Sequence, residues 1–272
     1  MSNLTQRVLT ALIGAPLVVG VVYLGGWFFG GLMLLVGLLA QREFYGLAEA
    51  AGIRPLKSVG LVVGGLLIVR SLVPLAVPLA VLGLIVVLVA ELYRRLDGPI
   101  PNVTATVFGA IYPALLVGYF VDLRVLGATG GLGDMGAFWL TVVVVVAIWA
   151  SDTFAYFTGR AFGSHPLFPR ISPKKTIEGS VGGVVGAIVV VVAFKLFLVP
   201  FLTWGDAAFV GLVCGAFGQL GDLVESLLKR SVGVKDSGHY LPGHGGMLDR
   251  IDAMLVAIPV VVLYFDYVRG VW

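Results

Sequence analysis

The sequence predicts an all-α, polytopic integral membrane protein with about nine transmembrane helices, its N-terminus cytoplasmic and its C-terminus outside, and three observations predict it. Of 272 residues, 59% are hydrophobic and 38 more are glycine. Only 12% are charged, with 18 Lys+Arg against 15 Asp+Glu, where soluble domains hold about a quarter. The mean hydropathy is +1.03. A soluble globule and a disordered chain are both excluded, since disorder requires a shortage of apolar surface.

A helix that crosses about 30 Å of hydrocarbon needs about 20 apolar residues, and only closed backbone hydrogen bonding is tolerated there. Runs of this kind predict spans at 8–25, 27–41, 58–74, 75–93, 103–121, 136–157, 179–199, 204–226 and 251–269. The first follows Arg7 and lacks a small-residue cleavage site, so it reads as a retained span rather than a signal peptide. Pro74, Pro78 and Pro200 mark turns or kinks. With the N-terminus inside, 14 of the 18 basic residues fall on the inner side, and the exceptions are Arg70, Arg124, Lys195 and Arg269. Cys214 lies in an apolar stretch and reads as a small buried residue.

Two regions are expected: N-terminal helices over 1–135, and C-terminal helices over 136–272 with polar inner loops at 158–178 and 227–250. Chemistry, if present, belongs to the second region. In the eighth span Gln219, Asp222, Glu225, Ser226 and Lys229 recur at three- and four-residue steps, which places them on one helical face. Carboxylates in a span face a wet cavity or a partner. Glu225 fits pairing with Lys229 or Arg230, whereas Asp222, between Gly218, Gly221 and the polar loop, fits a site. The ninth span opens on Asp249 and Asp252 beside Arg250, where one capping carboxylate would suffice. Asp222 and Asp249 end and begin consecutive spans, so they are expected at similar depth and able to share a divalent cation. Oxygen ligands of this kind suit Mg²⁺.

In the other loop, Ser172-Pro173 reads as an N-cap followed by Pro at the first helical position, which would set Lys174 and Lys175 at a helix N-terminus as an anion site; flanking inner-side charge explains the same lysines. Asp152 fits either a hydrogen-bond partner within the bundle or a site residue. His244 stands in PGHGG, where glycines let backbone approach a ligand, while His165 and His239 read as loop histidines. There is no zinc-type Cys/His cluster, nucleophile elbow, P-loop or nucleic-acid patch. Carboxylates for a metal together with cations for phosphates, at membrane-surface depth, point to phosphoryl or nucleotidyl transfer with a lipid reactant.

Residues 226–252, SLLKRSVGVKDSGHYLPGHGGMLDRID, closely resemble the signature of the phosphatidate cytidylyltransferases (CDP-diacylglycerol synthases). The match runs through Ser226, Lys229, Arg230, Lys235, Asp236, Gly238, Leu241, Pro242, His244, Gly245, Gly246, Asp249, Arg250 and Asp252. SDTFAYFTGRAFG, with Asp152, Gly159 and Arg160, and SPKKTIEGS, with Ser172, Lys174, Lys175, Thr176 and Glu178, are also similar to that family, and REFYGLAEAAG at 42–52 faintly so. The resemblance implies CTP + phosphatidate → CDP-diacylglycerol + pyrophosphate, by Mg²⁺-assisted in-line attack of the lipid phosphate on the α-phosphorus. It implies Asp222 and Asp249 as metal ligands with Asp252 in reserve, and Lys174, Lys175, Lys229, Arg230, Lys235 and Arg250 as phosphate contacts. His244 would donate to phosphate. Asp152, Ser172, Thr176, Glu178, Ser226, Asp236, Gly245 and Gly246 complete the substrate surroundings.

It further implies a homodimer among membrane lipids, in a bacterial inner membrane, with the site facing the cytoplasm and no nucleic-acid partner. Whether a second metal site exists, and whether it takes a monovalent cation, stays open. A CDP-alcohol phosphatidyltransferase would show DGxxAR…GxxxD…D, which is absent. The alternative from another class is an ion-coupled transporter using Asp152 and Asp222, which would call for discontinuous midplane helices and repeats.

Overall fold

The computed structural model describes residues 16–129, 131–238 and 245–270. Helices account for most of them: α1 at 16–24, α2 Gly26–Ala50, α3 Lys57–Ile68, α4 Ala76–Tyr93, α5 Pro99–Gly109, α6 Leu116–Thr129, α7 Gly133–Phe162, α8 Ile177–Phe197, α9 Trp204–Ser231 and α10 Leu248–Leu263. Among the described residues, seven helical stretches are long and apolar enough to cross a membrane: Gly26–Ala50, Ala76–Tyr93, Pro99–Val125, Gly133–Phe162, Ile177–Phe197, Trp204–Ser231 and Leu248–Val268. Each coincides with an expected span. The expected span at 8–25 lies largely outside the described residues.

The span expected at 58–74 is cut short. Its helix, Lys57–Ile68, has 12 residues, about 18 Å of rise against a 30 Å layer. Arg70 explains the stop: its Nη1 donates to the carbonyls of Leu67 at 3.0 Å and Leu115 at 3.2 Å, taking up a helix-end acceptor. Its Nη2 pairs with Asp122, and the neighbouring Ser71 hydroxyl donates to that same carboxylate at 2.7 Å. Pro113 lies inside a wider π-turn, Ala110–Leu115, that joins α5 to α6. The extra residue in that turn accommodates a proline that cannot donate to the helix ladder.

The described residues fall into two compact units. The first lies within Met1–Val125 and Ser231–Arg250, the second within Leu126–Arg230 and Ile251–Trp272. In the first, buried polar groups tie three helices together. Gln41 donates to Tyr45 Oη at 2.8 Å and to the Gly60 carbonyl at 2.7 Å, and Tyr45 Oη donates to the Thr106 carbonyl at 2.8 Å. In the second, α7 and α8 pack through small residues. A Cβ at Gly183 would lie 2.9 Å from the Ser151 carbonyl, and one at Gly179 would lie 2.8 Å from the Ala155 carbonyl, the close backbone approach that small residues permit between membrane helices.

All four basic residues that break the inner-side charge pattern have partners. Arg70 pairs with Asp122. Arg124, buried, donates to the carbonyls of Val22 at 2.7 Å and Tyr23 at 3.0 Å. Lys195 sits 4.7 Å over the Trp204 ring, and Arg269 lies 3.1 Å from Asp206. Each is satisfied locally, which is what a charge in or near hydrocarbon requires.

A second expectation is corrected. Ser172 does not cap a helix: Pro166–Phe168 (β1) and Ser172–Thr176 (β2) form a two-stranded antiparallel hairpin, a small departure from an all-α chain. The cap of α8 is Thr176, whose Oγ1 accepts from the Gly179 N–H at 3.1 Å. A Ser-Pro pair suits a strand as well as a helix start, because proline's fixed φ is allowed in both. The true cap signal is Thr176 followed by Glu178 and Gly179.

Candidate active site

In the second unit, the end of α7, strand β2, the start of α8 and the middle of α9 enclose a cavity of about 420 Å³, within the range of small-molecule sites. Asp152, Tyr156, Gly159 and Arg160 line it from α7, Lys174, Lys175 and Thr176 from β2, Ser180 from α8, and Gln219 and Asp222 from α9. The hairpin therefore delivers the two lysines that a helix N-terminus was expected to deliver. Gln219 fixes α9 against both neighbours, its Nε2 donating to the Ser180 carbonyl at 3.0 Å and lying 3.5 Å from Ser151 Oγ.

Asp222 is the centre of the charge arrangement. Its Oδ2 forms an ion pair with Lys175, and its Oδ1 accepts from Ser226 Oγ at 3.2 Å. Asp152 and Asp252 both lie within range of its charge. Gly221 makes the second of these approaches possible, since a Cβ there would meet the Asp252 carbonyl at 2.3 Å and Ala253 Cα at 3.0 Å. Backbone cannot yield as a side chain does, so Gly221→Val is expected to destabilise the fold by about 1–3 kcal/mol or more. A lowered thermal midpoint in detergent, with activity lost alongside it, is the corresponding measurement.

Lys229, expected at phosphate, pairs with the fully buried Glu225 one helical turn before it and feels the charge of Asp252. The pairing reading of Glu225 is thus the observed one. Arg230 is exposed. Glu178 turns away from the cavity lining: its Oε2 accepts from the N–H groups of Ser164 at 3.1 Å and His165 at 3.2 Å, and its Oε1 meets His165 Nδ1 at 2.6 Å. It clasps the turn that enters the hairpin.

The first unit holds Lys235, Asp236, Gly245, Gly246, Asp249 and Arg250. Lys235, Asp236 and Arg250 are exposed. Asp249 opens α10, and its Oδ2 accepts from Ser237 N at 2.9 Å, Ser237 Oγ at 3.0 Å and Gly246 N at 2.9 Å. Gly245 has φ +76°, a value that favours glycine. His244 lies outside the described residues, and Asp222 and Asp249 belong to different units.

Sequence reasoning gave no role to Glu43. This carboxylate on α2 is 4% exposed and accepts from Met247 N at 2.9 Å, Leu248 N at 2.7 Å and Ser237 Oγ at 3.0 Å. Its only signal was the fainter likeness of the stretch that begins at Arg42.

Carboxylates and lysines around one cavity can bind a polyphosphate and a cation together. Among the described residues no three His, Cys, Asp or Glu side chains form a group able to hold a metal alone. The acidic oxygens present fit a hard cation that completes its shell with water and phosphate oxygens, as Mg²⁺ does.

Comparison with known proteins gives the family. The model of the cytidylyltransferase family matches residues 5–268. The phosphatidate cytidylyltransferase of Synechocystis is 35% identical over 283 aligned residues, covering 96% of each chain. That of Bacillus subtilis is 34% identical over 278, covering 97% of this chain and 98% of its own. The chloroplastic phosphatidate cytidylyltransferase 4 of Arabidopsis thaliana is 34% identical over 93% of this chain and 71% of its own. Matched nearly end to end by the family model and by two full-length relatives, the chain belongs to the cytidylyltransferase family.

Proposed function

We propose that this protein transfers the cytidylyl group of CTP to phosphatidate, giving CDP-diacylglycerol and pyrophosphate. One observation supports it above the others: Asp222 and Asp152 share a cavity with Lys174 and Lys175 at the ends of apolar helices. A nucleoside triphosphate and a lipid headgroup both carry phosphates that such a cavity can neutralise. The transporter alternative gains nothing from membership in a family of transferases.

In the proposed reaction an oxygen of the phosphatidate phosphate attacks the α-phosphorus of CTP in line. The new P–O bond forms as the bond from the α-phosphorus to the bridging oxygen breaks, and the electron pair leaves on pyrophosphate. A phosphate monoester is anionic at neutral pH, so no strong general base is required. The protein's part is positioning and charge neutralisation. Lys174 and Lys175 bind equatorial and leaving phosphate oxygens, with Arg230 as a further phosphate contact. Lys229, tied to Glu225, holds the local field around Asp252. Mg²⁺, held by Asp222 in this cavity, would supply positive charge to the polyphosphate when bound. A second, monovalent cation is compatible with the acidic neighbours Asp152 and Asp252.

The charge distribution supports an N-terminus and a site on the cytoplasmic side of a bacterial inner membrane, where CTP is supplied from solution and phosphatidate from the bilayer. Helices within 1–135 serve as scaffold, lipid access or dimer contact in a proposed homodimer.

The test is pyrophosphate release by the detergent-solubilised protein with phosphatidate and Mg²⁺, comparing CTP, ATP, GTP and UTP. Release with CTP alone, abolished by EDTA, is expected. Folded protein that releases none with any nucleotide would overturn the reading.

A further inference from the structure

We infer that Glu43, on a helix remote in sequence from the signature 226–252, is the positioning residue of Ser237 and Gly238, of the start of α10 at 246–248, and through them of Asp249. Four observations support this. Its carboxylate accepts from the N–H groups of Met247 and Leu248 at 2.9 and 2.7 Å, where α10 begins and helical donors have no partner of their own. Ser237 Oγ lies 3.0 Å from both Glu43 Oε2 and Asp249 Oδ2, so a single hydroxyl proton is shared between the two acids.

The third observation concerns two glycines of the signature. A Cβ at Gly238 would lie 2.3 Å from Glu43 Oε1, and one at Gly246 would lie 2.2 Å from Ser237 Oγ and 2.6 Å from Glu43 Oε2. Neither glycine has a positive φ. They are small because the Glu43 side chain fills the space beside both of them. Fourth, the helix that bears Glu43 is itself pinned, since Gln41 and Tyr45, on either side of it, are hydrogen-bonded to Gly60 and Thr106.

A bare ionised carboxylate buried to this degree would be costly, and three donors offset that cost. The arrangement directs the cost to a purpose. Glu43 gathers the start of α10 and the 237–238 turn onto one point, and Asp249 is held between the Ser237 and Gly246 amides as a result. Glu43 touches no reacting atom in this account. It acts through Ser237 and the α10 amides.

The experiment uses the full chain in detergent and the isosteric variant Glu43→Gln. A glutamine offers one acceptor oxygen where the glutamate offers two, so an α10 amide loses its acceptor whichever way the side-chain amide is turned: Met247 N in one orientation, Leu248 N in the other. Hydrogen exchange over 245–250 is expected to quicken about tenfold, with exchange over 204–231 unchanged. The kcat for CTP-dependent pyrophosphate release is expected to fall about tenfold, with KM for CTP held within about twofold, the split that loss of positioning rather than of binding gives. Exchange at the wild-type rate, or faster exchange with wild-type kcat, would overturn the inference. Should Glu43→Gln fail to fold, Ser237→Ala decides: it removes the hydroxyl between the acids and is expected to lower kcat in the same direction, and wild-type kcat there would overturn it. Only the kcat arms rest on the cytidylyl-transfer reading. If the wild type releases no pyrophosphate that reading fails, while the exchange arm still tests Glu43.

Discussion

Asp222→Asn is expected to lower CTP-dependent pyrophosphate release by about a hundredfold to a thousandfold while leaving the protein folded. The side chain is about one third exposed, at 34%, and its partners are Lys175 and Ser226, so no core packing depends on its charge. Asparagine keeps the volume and one acceptor oxygen, which can still receive the Ser226 hydroxyl. What it removes is the negative charge, which three neighbouring side chains feel. Lys175 loses its ion-pair partner, Asp152 and Asp252 lose a like-charged neighbour, and the proposed Mg²⁺ site would lose a carboxylate ligand. Steady-state kinetics beside a thermal melt separates the outcomes. A folded variant with wild-type rate would remove Asp222 from the site, whereas loss of rate with an unshifted melt assigns it to catalysis.

Much of this arrangement was legible in the sequence, and the parts that were not share a physical reason. Apolar runs about twenty residues long located the long helices, because hydrocarbon thickness imposes a length that side-chain detail cannot alter. The spacing of Gln219, Asp222 and Ser226 placed them on one face, and Gln219 and Asp222 do line one cavity. Arg70 ended its helix early because its guanidinium reaches helix-end carbonyls and Asp122, a contact 52 residues away that no local window contains. The β1–β2 hairpin was missed because strands of three and five residues leave too little alternation to read, and Ser172-Pro173 fits a helix start equally well. Glu43 was missed because its partners lie 194 to 205 residues away. Its role appears only when Gly238 and Gly246 are seen to be packed against it.

Lys175→Gln is the second substitution with a large expected effect, and its two consequences run in opposite directions. Lys175 pairs with Asp222 Oδ2 while it lines the cavity with Lys174 and Arg160. Under the proposed reaction the ammonium and a divalent cation would compete for one carboxylate. Polyphosphate binding would relieve that competition by offering the lysine another set of anionic oxygens. Without the lysine the developing charge on the leaving pyrophosphate loses a donor, so kcat is expected to fall about a hundredfold. Asp222, no longer neutralised, attracts a cation more strongly, so the Mg²⁺ concentration that gives half-maximal rate should fall as well. Lys175→Arg keeps the charge and is expected to keep most of the rate and the wild-type Mg²⁺ requirement. A purely structural lysine would lower the rate of both variants alongside a lowered melting temperature, with no directed change in Mg²⁺ dependence. If Lys175→Gln instead needs more Mg²⁺, the lysine and the metal do not contend for Asp222, and the cation must be held by carboxylates that Lys175 does not touch.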